Sequence, residues 1–187
     1  MKPSILQISQ LLTDRLTLIP YTIPICTHIL NQEFDFLKKM NLRKGRGWPD
    51  DDVLETLPKI INNLSEIGAP TGFESWMIIK NETLEIIGDI GFKGFNQKEQ
   101  LIDVGYGIIL GERRQGYAEE AAKVLIGWAF KQSNVKEITA QCLIGNVSSI
   151  HLLQKLNFKQ IKRENCFLFW SLPSSNQIVT GKGQTFN

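Results

Sequence analysis

A strand that ends in a basic, glycine-containing turn and opens at once into a helix constrains this chain more than any other feature. The apolar run "VGYGIIL" at residues 104–110 is typical of a buried strand. The next segment, "GERRQGYAEEAAKVLIGWAF", turns at Gly116 and continues as an amphipathic helix. The apolar stripe of that helix consists of Ala118, Ala121, Ala122, Leu125, Trp128 and Ala129. The fold must therefore join a strand end directly to a helix start.

The start of this helix has the properties of an anion site. The first N–H groups of a helix have no intrahelical acceptor, and they carry the positive end of the helix dipole. Gly116 and Ala118 are small enough for a ligand to approach the main chain, and Arg113 and Arg114 precede them. These features favour a bound pyrophosphate. The alternative is a glycine that only turns the chain, with solvated arginines; the chain contains neither a P-loop nor a G-x-G-x-x-G motif.

The rest of the chain predicts an α+β fold with helices packed on one mixed, mostly antiparallel sheet. The order is strand, two helices, three antiparallel strands, the junction helix, strand, short helix and two strands, which gives about seven strands and four helices. "LLTDRLTLIPYT" predicts the first strand, "PICTHILNQEFDFLKKM" the first helix, and Asp50 to Asp52 the start of the second. We expect a single domain over residues 1–173 and a polar tail over residues 174–187.

Composition excludes several classes of protein. The chain has 187 residues and a net charge of +2, so it has no large basic field for nucleic acid. We expect no signal peptide, no membrane span and a cytoplasmic location. The three cysteines are far apart and odd in number, which favours reduced thiols, and their spacing predicts no metal site.

Five segments together resemble the GNAT acetyltransferases, and within them the ribosomal-protein-alanine acetyltransferase-like branch. "RRQGYA" fits the pattern [QR]-x-x-G-x-[GA] of that family. The segments "TDRLTLIPY", "IIGDIGF", "DVGYGIIL", "RRQGYAEEAAKVLIGWAF" and "NVSSIHLLQKLNF" follow in the family's order. The resemblance covers roughly residues 12–172 and implies the GNAT fold, with layers of helix, sheet and helix, and acetyl-CoA as cosubstrate.

The resemblance also implies which residues bind acetyl-CoA. The pyrophosphate would lie on the main-chain N–H groups of Gln115, Gly116, Tyr117, Ala118 and Glu119, beside Arg113 and Arg114. The pantetheine arm would pair with the main chain of Ile108, Ile109 and Leu110, like an added strand. Asn146 would bond the cosubstrate through its side chain, and a helix N-cap is the alternative role for this residue.

Acetyl transfer to an amine needs a base for the amine and an acid for the departing thiolate. Asp103, on the strand before the turn, is the predicted base, and a solvated or turn-bound carboxylate is its alternative. Glu74 and Asp89, on neighbouring strands, are further candidates. Many relatives carry a tyrosine acid where this chain has Leu153, so the resemblance implies Ser149 in that role, against a plain first-turn serine as the alternative.

The sequence therefore predicts an N-acetyltransferase that moves an acetyl group from acetyl-CoA directly to a primary amine through a ternary complex. The acceptor would be a protein N-terminal α-amine or a small-molecule amine. A non-catalytic acyl-CoA-binding or protein-interaction module of the same fold is the alternative. The resemblance is compatible with a homodimer, and no nucleic acid, membrane or metal is expected.

Overall fold

A computed structural model describes residues 9–96, 98–132 and 135–176 of the chain. Within these residues one sheet contains every strand. The strands are β1 (Leu11–Leu12), β2 (Leu16–Pro20), β3 (Arg43–Lys44), β4 (Ser75–Lys80), β5 (Glu85–Asn96), β6 (Leu101–Ile108), β7 (Glu137–Leu143), β8 (Lys159–Glu164) and β9 (Phe167–Pro173). The helices are α1 (Ile23–Leu30), α2 (Asp35–Lys39), α3 (Asp51–Ile67), α4 (Tyr117–Lys131) and α5 (Val147–Lys155).

The strand order confirms the predicted mixed sheet. It runs β1-β2-β4-β5-β6-β7-β9-β8, with β3 paired to β5. Only the β3–β5 and β6–β7 pairs are parallel, and β4, β5 and β6 form the predicted antiparallel meander. The seven longer strands match the predicted number, and the two-residue strands β1 and β3 add to it.

Two predicted elements are each divided in the structure. The first strand is a hairpin of β1 and β2, closed by a hydrogen bond from the Thr13 N–H to the Leu16 carbonyl. The first helix ends at Leu30, and the chain resumes as α2 after Gln32, whose φ of 59° lies in the left-handed region. Apolar spacing continues across this break, which is why the sequence predicts one helix.

Helices cover both faces of the sheet. On one face, Trp128 of α4 packs against Phe73 and Trp76, with ring centroids 5.2 and 6.0 Å apart. On the other face, α3 contacts β5, and α1 packs on α3. The Asp50 side chain caps α3 by accepting from the Val53 N–H at 3.1 Å, as the sequence predicts. Helical layers therefore cover both faces of the central strands, whereas β8 at the edge of the sheet is exposed.

The boundary between domain and tail stays a prediction. The last described residues, Ser174–Asn176, form a short 3-10 turn, and residues 177–187 lie outside the described part of the chain.

Candidate active site

The edge of β6 that faces β7 is open along most of its length. The two strands run parallel and pair only where Leu101–Asp103 lies opposite Glu137–Thr139. β6 continues to Ile108, held on its other side by β5. Within the described residues no strand pairs with this edge beyond Asp103. An extended molecule with amide groups can therefore bind here as an added strand.

Alternation along β6 determines which main-chain groups face the gap. The Ile109 N–H donates to the Ile87 carbonyl of β5 at 2.9 Å, so the odd-numbered residues at this end of β6 bond toward β5. Val104, Tyr106 and Ile108 then direct their N–H and C=O groups toward the gap between β6 and β7.

Two of the residues predicted to bind the pantetheine arm use main-chain groups within the protein. The Ile108 carbonyl accepts a hydrogen bond of 2.8 Å from Nε of Arg113, and the Ile109 N–H is bonded to β5. The Leu110 side chain is 80% exposed at the start of a 3-10 turn. The open main-chain groups therefore lie mainly upstream of the predicted range, at Val104 and Tyr106.

The turn after β6 leaves helix N–H groups without an acceptor. Arg114 and Gly116 have left-handed backbone, with φ of 64° and 82°, and Gly116 is the N-cap of α4. The first hydrogen bond of the helix runs from the Glu120 N–H to the Gly116 carbonyl at 3.1 Å. In the described part of the chain nothing accepts from the N–H groups of residues 116–119. This geometry is that of an anion cradle.

Arg15, in the turn between β1 and β2, supports this cradle, although sequence reasoning did not single it out. Its guanidinium lies 2.6 Å from the Glu120 carboxylate and donates to the Gln115 carbonyl at 3.0 Å. It also lies over the Tyr117 ring, 4.7 Å from the centroid. These partners are far from Arg15 in sequence, so no local motif indicates them. Arg114 is exposed beside the turn.

Asp103, the predicted base, is the last β6 residue that pairs with β7. Its Oδ2 lies 2.6 Å from Nζ of Lys93, and its Oδ1 accepts a hydrogen bond of 3.0 Å from Oγ1 of Thr139. Five strand residues place it roughly 16 Å from Ile108 and the turn. Both carboxylate oxygens are thus bonded within the protein, and the catalytic role of Asp103 stays a prediction.

Asn146 is the N-cap of α5. Its Oδ1 accepts from the Ser149 N–H at 3.1 Å, so the capping role expected as the alternative is present. Within the described residues the amide nitrogen of Asn146 has no partner, and a bond from it to a ligand stays a prediction.

The hydroxyl of Tyr106 on β6 has Ser149 of α5 and Cys142 of β7 among its neighbours. This hydroxyl is buried and has no hydrogen-bond partner in the described part of the chain. Burial raises the pKa of Tyr106, while the neighbouring Ser149 side chain lowers it and Cys142 of β7 raises it. Leu153, which occupies the position of the tyrosine in many relatives, is buried. Tyr106 therefore brings a phenol near Ser149 from β6, whereas Leu153 lies on α5.

The two other candidate carboxylates differ in their surroundings. The Glu74 oxygens accept hydrogen bonds from the Thr71 N–H and hydroxyl and from the Gly72 N–H, so Glu74 holds the turn before β4. Asp89 of β5 is partly exposed and forms no ion pair within the described residues. Asp89 is therefore the less constrained of the two.

Asp89 lies near the end of β6 that leads into the turn, because it pairs with Gly107. Burial, followed by the negative charges of Asp50 and Asp52, raises the pKa of Asp89 to about 7. A carboxyl group with this pKa can take up and release a proton near neutral pH.

A cavity of about 540 Å³ opens beside the same strand end. It lies between the loop at Gly45 to Gly47 and the segment from Ile109 to Glu112. A second cavity of about 510 Å³ lies at the other end of α3 and includes Lys93 and Asp103 in its lining. The first cavity therefore lies at the end of β6 that leads into the turn, and the second lies at the beginning of β6.

Residues 15–159 match the family model described as an acetyltransferase (GNAT) domain. The chain is also 34% identical over 146 residues to the uncharacterized N-acetyltransferase YjdG of Bacillus subtilis, covering 78% of this chain and 87% of the relative. The chain belongs to the GNAT acetyltransferase family. Its sequence resemblance to this family is thereby confirmed, and the protein is an N-acetyltransferase.

Solved GNAT structures share the fold at lower sequence identity. The ribosomal-protein-S5-alanine acetyltransferase of Vibrio fischeri superposes with a TM-score of 0.64 at 16% identity, covering 89% of this chain and 97% of the other. The microcin C7 self-immunity acetyltransferase MccE, in complex with acetyl-CoA and AMP, gives a TM-score of 0.61 at 14% identity, covering 86% and 93%. These likenesses confirm the predicted α+β GNAT fold.

A search for metal sites and for membrane-spanning helices covers only the part of the chain that the structure describes. There, no three His, Cys, Asp or Glu side chains come together as a metal site. Over the same ranges no helix is both long and apolar enough to cross a bilayer.

Proposed function

We propose that this GNAT protein transfers the acetyl group of acetyl-CoA directly to a primary amine within a ternary complex. The observation that carries the proposal is the row of free N–H groups at residues 116–119, next to the open edge of β6. A pyrophosphate is complementary to the first feature, and the amides of a pantetheine arm are complementary to the second. The acetyl-CoA bound by MccE, which shares the fold, supports this ligand.

The chain's own residues fit such a ligand. Gln115 to Glu119 would hold the pyrophosphate, with Arg114 free to approach it and Arg15 fixing the turn from behind. Main-chain groups of Val104, Tyr106 and Ile108 would bond the pantetheine amides across the gap. Bound acetyl-CoA supplies a thioester whose acyl carbon accepts the amine nitrogen.

The departing thiolate needs a proton, and Leu153 has none to give. We assign this role to Ser149 together with the neighbouring Tyr106 hydroxyl, which has no hydrogen-bond partner in the described residues. A phenol is protonated at neutral pH even at its ordinary pKa of about 10. Burial raises the pKa of Tyr106 further, so its hydroxyl holds a proton that it can donate.

The acceptor class is a primary amine, either at a protein N-terminus or on a small molecule. The name of the Vibrio fischeri protein, a ribosomal-protein-S5-alanine acetyltransferase, favours a protein α-amine. The cavity beside Gly45 to Gly47 gives either acceptor a route to the strand end.

The test is release of CoA. The protein is mixed with acetyl-CoA and a panel of primary amines, and free CoA is measured with a thiol reagent against the hydrolysis background. We expect amine-dependent release, and a rise in melting temperature with CoA. CoA binding without release from any amine would support the non-catalytic acyl-CoA-binding alternative, and neither binding nor release would overturn both.

A direct transfer also predicts that the protein itself is not acetylated. Of the three cysteines, Cys26 and Cys142 are buried and Cys166 is exposed. We expect intact-protein mass spectrometry with acetyl-CoA alone to show no stable acetyl adduct. We also expect steady-state kinetics to show that acetyl-CoA and the amine must be bound to the enzyme at the same time.

A further inference from the structure

Two lysine side chains from different helices meet at one glutamate beside the anion cradle. Lys123, one turn further along α4, lies with its Nζ 2.7 Å from Oε1 of Glu119. Lys155, in the last turn of α5, lies with its Nζ 3.4 Å from Oε2 of the same carboxylate. We call Lys123 and Lys155 the lysine pair. Two cations thus flank a single anion, which leaves an excess of positive charge at this point of the surface.

The lysine pair is open to solvent, and the protein uses few of its hydrogen-bond donors. The Lys123 and Lys155 side chains are 51% and 67% exposed, against 27% for Glu119. Each ammonium group has three N–H donors, and in the described part of the chain Glu119 is the only partner of either group. Exposed ion pairs contribute little to stability, so an anion from solvent can share or replace this partner at small cost.

Glu119 connects the lysine pair to the cradle. Its main-chain N–H is the last of the row at residues 116–119 that has no acceptor in the described residues, since the Glu120 N–H already bonds to the Gly116 carbonyl. The Glu119 side chain can place its carboxylate oxygens at most about 6 Å from this nitrogen. With the two ion-pair distances added, both ammonium groups lie within about 10 Å of the end of the cradle.

Acetyl-CoA carries a third phosphate close to the two that form its pyrophosphate. This phosphate is an ester of the ribose 3′ oxygen, and the ribose holds it at most about 8 Å from the nearer phosphorus of the pyrophosphate. A pyrophosphate on the N–H groups of residues 116–119 therefore brings the 3′-phosphate within reach of the lysine pair. A phosphate monoester has a charge of about −1.5 to −2 at neutral pH, so it is complementary to two ammonium groups.

The arginines around the turn have other partners or other positions. Arg15 is held by the Glu120 carboxylate, 2.6 Å away, and the Nε of Arg113 donates to the Ile108 carbonyl. Arg114 is exposed within the turn itself, where the pyrophosphate is proposed to bind. The lysine pair is therefore the cationic group that can receive a second phosphate on the α5 side of the turn.

We infer that the lysine pair binds the 3′-phosphate of acetyl-CoA, so that the enzyme selects CoA over dephospho-CoA, which lacks this phosphate. The inference rests on the proposed function and adds a contact from α5 to those of the cradle. Each lysine donates to a phosphate oxygen with an N–H group that Glu119 does not use. The Glu119 carboxylate stays beside the phosphate, so its negative charge limits the affinity.

Paired titrations of CoA and dephospho-CoA test this contact. Calorimetry at low ionic strength gives the Kd of each ligand for the wild-type protein. We expect CoA to bind at least tenfold more tightly than dephospho-CoA, and this preference to shrink as salt is added because exposed charges are screened. Equal Kd values for the two ligands at low ionic strength would overturn the inference.

Replacing both lysines by methionine removes the two charges and keeps apolar side chains of similar length. We expect Lys123→Met and Lys155→Met each to weaken CoA binding about threefold, and the double variant to bind CoA no more tightly than dephospho-CoA. The affinity for dephospho-CoA should stay at its wild-type value. A purely structural role of the two ion pairs would weaken both ligands alike, so a wild-type preference in the double variant would contradict the assignment.

Lys162→Met is the matched control. Lys162 is an exposed lysine that is paired with Glu164 on β8, at the edge of the sheet. Its replacement removes the same charge from the protein as a whole but none from the neighbourhood of the cradle. We expect the wild-type preference for CoA; a loss equal to that of Lys155→Met would show that net charge, and not the lysine pair, sets the preference.

Glu119→Gln tests the inference in the opposite direction. The substitution removes the carboxylate that competes with the phosphate for the lysine pair and preserves the size of the side chain. We expect the preference for CoA over dephospho-CoA to rise about threefold above that of wild type. An unchanged or smaller preference would contradict the proposed competition.

These outcomes separate the inference from the proposed function. Tight CoA binding without any preference over dephospho-CoA would end the role of the lysine pair and leave acetyl transfer standing. A preference that depends on the lysine pair, without CoA release from acetyl-CoA in the presence of amines, would keep the 3′-phosphate contact and overturn the transfer reaction. Binding of neither ligand to wild type would overturn both.

Discussion

Asp89 and Gly107 lie opposite each other in the β5–β6 ladder, so close that a Cβ on Gly107 would be 3.2 Å from the Asp89 Oδ1. The missing side chain at residue 107 leaves room for a carboxylate over the strand that borders the open gap. This pair of residues thus places the Asp89 carboxylate next to the strand where acetyl-CoA is proposed to bind.

Gly107→Ala should displace the Asp89 carboxylate. The added methyl group would lie closer to the Asp89 Oδ1 than an ordinary van der Waals contact, so the carboxylate must shift by a few tenths of an ångström. We expect kcat/KM for amines to fall about tenfold with unchanged acetyl-CoA affinity, because misplacement affects chemistry more than cosubstrate binding. Gly105→Ala is the matched control, since its Cβ would meet nothing within 4 Å. Equal effects of the two substitutions would contradict this reasoning.

Asp89→Asn should stabilise the protein more at pH 8 than at pH 5. Burial, Asp50 and Asp52 raise the pKa of Asp89 from 3.8 to about 7. Below pH 3.8 the Asp89 carboxyl group is protonated in both the folded and the unfolded state. Between pH 3.8 and about 7 it is protonated only in the folded state. The free energy of unfolding therefore falls as pH rises through this range. This cost grows by about 2–3 kcal/mol from pH 5 to pH 8 and is absent in asparagine.

Urea unfolding of wild type and Asp89→Asn at both pH values measures this difference. Asp51→Asn is the control, because Asp51 is exposed in the same turn of α3 as Asp52 and is not among the charges that raise the pKa of Asp89. A stability gain that does not change with pH would show that the carboxyl titrates near its ordinary pKa.

Tyr106→Phe should lower kcat more than it raises any KM. The phenol has no partner to lose in the described residues, so its removal should leave stability nearly unchanged. We expect kcat to fall at least tenfold if the phenol protonates the thiolate. Because the two hydroxyls act together, adding Ser149→Ala to Tyr106→Phe should lower kcat little further. Unchanged kcat in Tyr106→Phe would return the role to Ser149 alone or to water.

Gly116→Val should weaken acetyl-CoA binding at least tenfold, or about 1.4 kcal/mol. The substitution places a side chain over the N–H groups of the turn, where φ is 82°. Gly68→Val is the matched control, because Gly68 has a similar φ of 91° at the C-cap of α3 and open space around it. Both variants should lose stability, and only Gly116→Val should lose affinity in calorimetry. Equal affinity losses would remove the turn from the site.

Local patterns were sufficient to predict the fold and the free N–H groups at the start of α4, whereas binding of a pyrophosphate to these groups stays a prediction. The helix after Gly116 and the meander before it follow from periodicity and turn residues within short segments. Asn157, just after the C-cap of α5, has a φ of 64°, a left-handed conformation that asparagine tolerates better than most residues. The break at Gln32 was missed because the apolar spacing continues across it.

The surroundings of the candidate bases depend on contacts that no local pattern contains. The raised pKa of Asp89 arises from burial and from Asp50 and Asp52, about forty residues earlier in the chain. The ion pair that holds Asp103, with Lys93, joins two strands across a turn. Sequence position made Asp103 the leading candidate, whereas these tertiary surroundings favour Asp89.

The most direct measurement is a crystal structure of the protein with CoA. We expect the pyrophosphate to lie within hydrogen-bonding distance of the N–H groups of residues 116–119, with the pantetheine amides bonded to main chain between Val104 and Ile108. A nucleotide held elsewhere, with this turn closed by side chains and β7 drawn against β6, would contradict it.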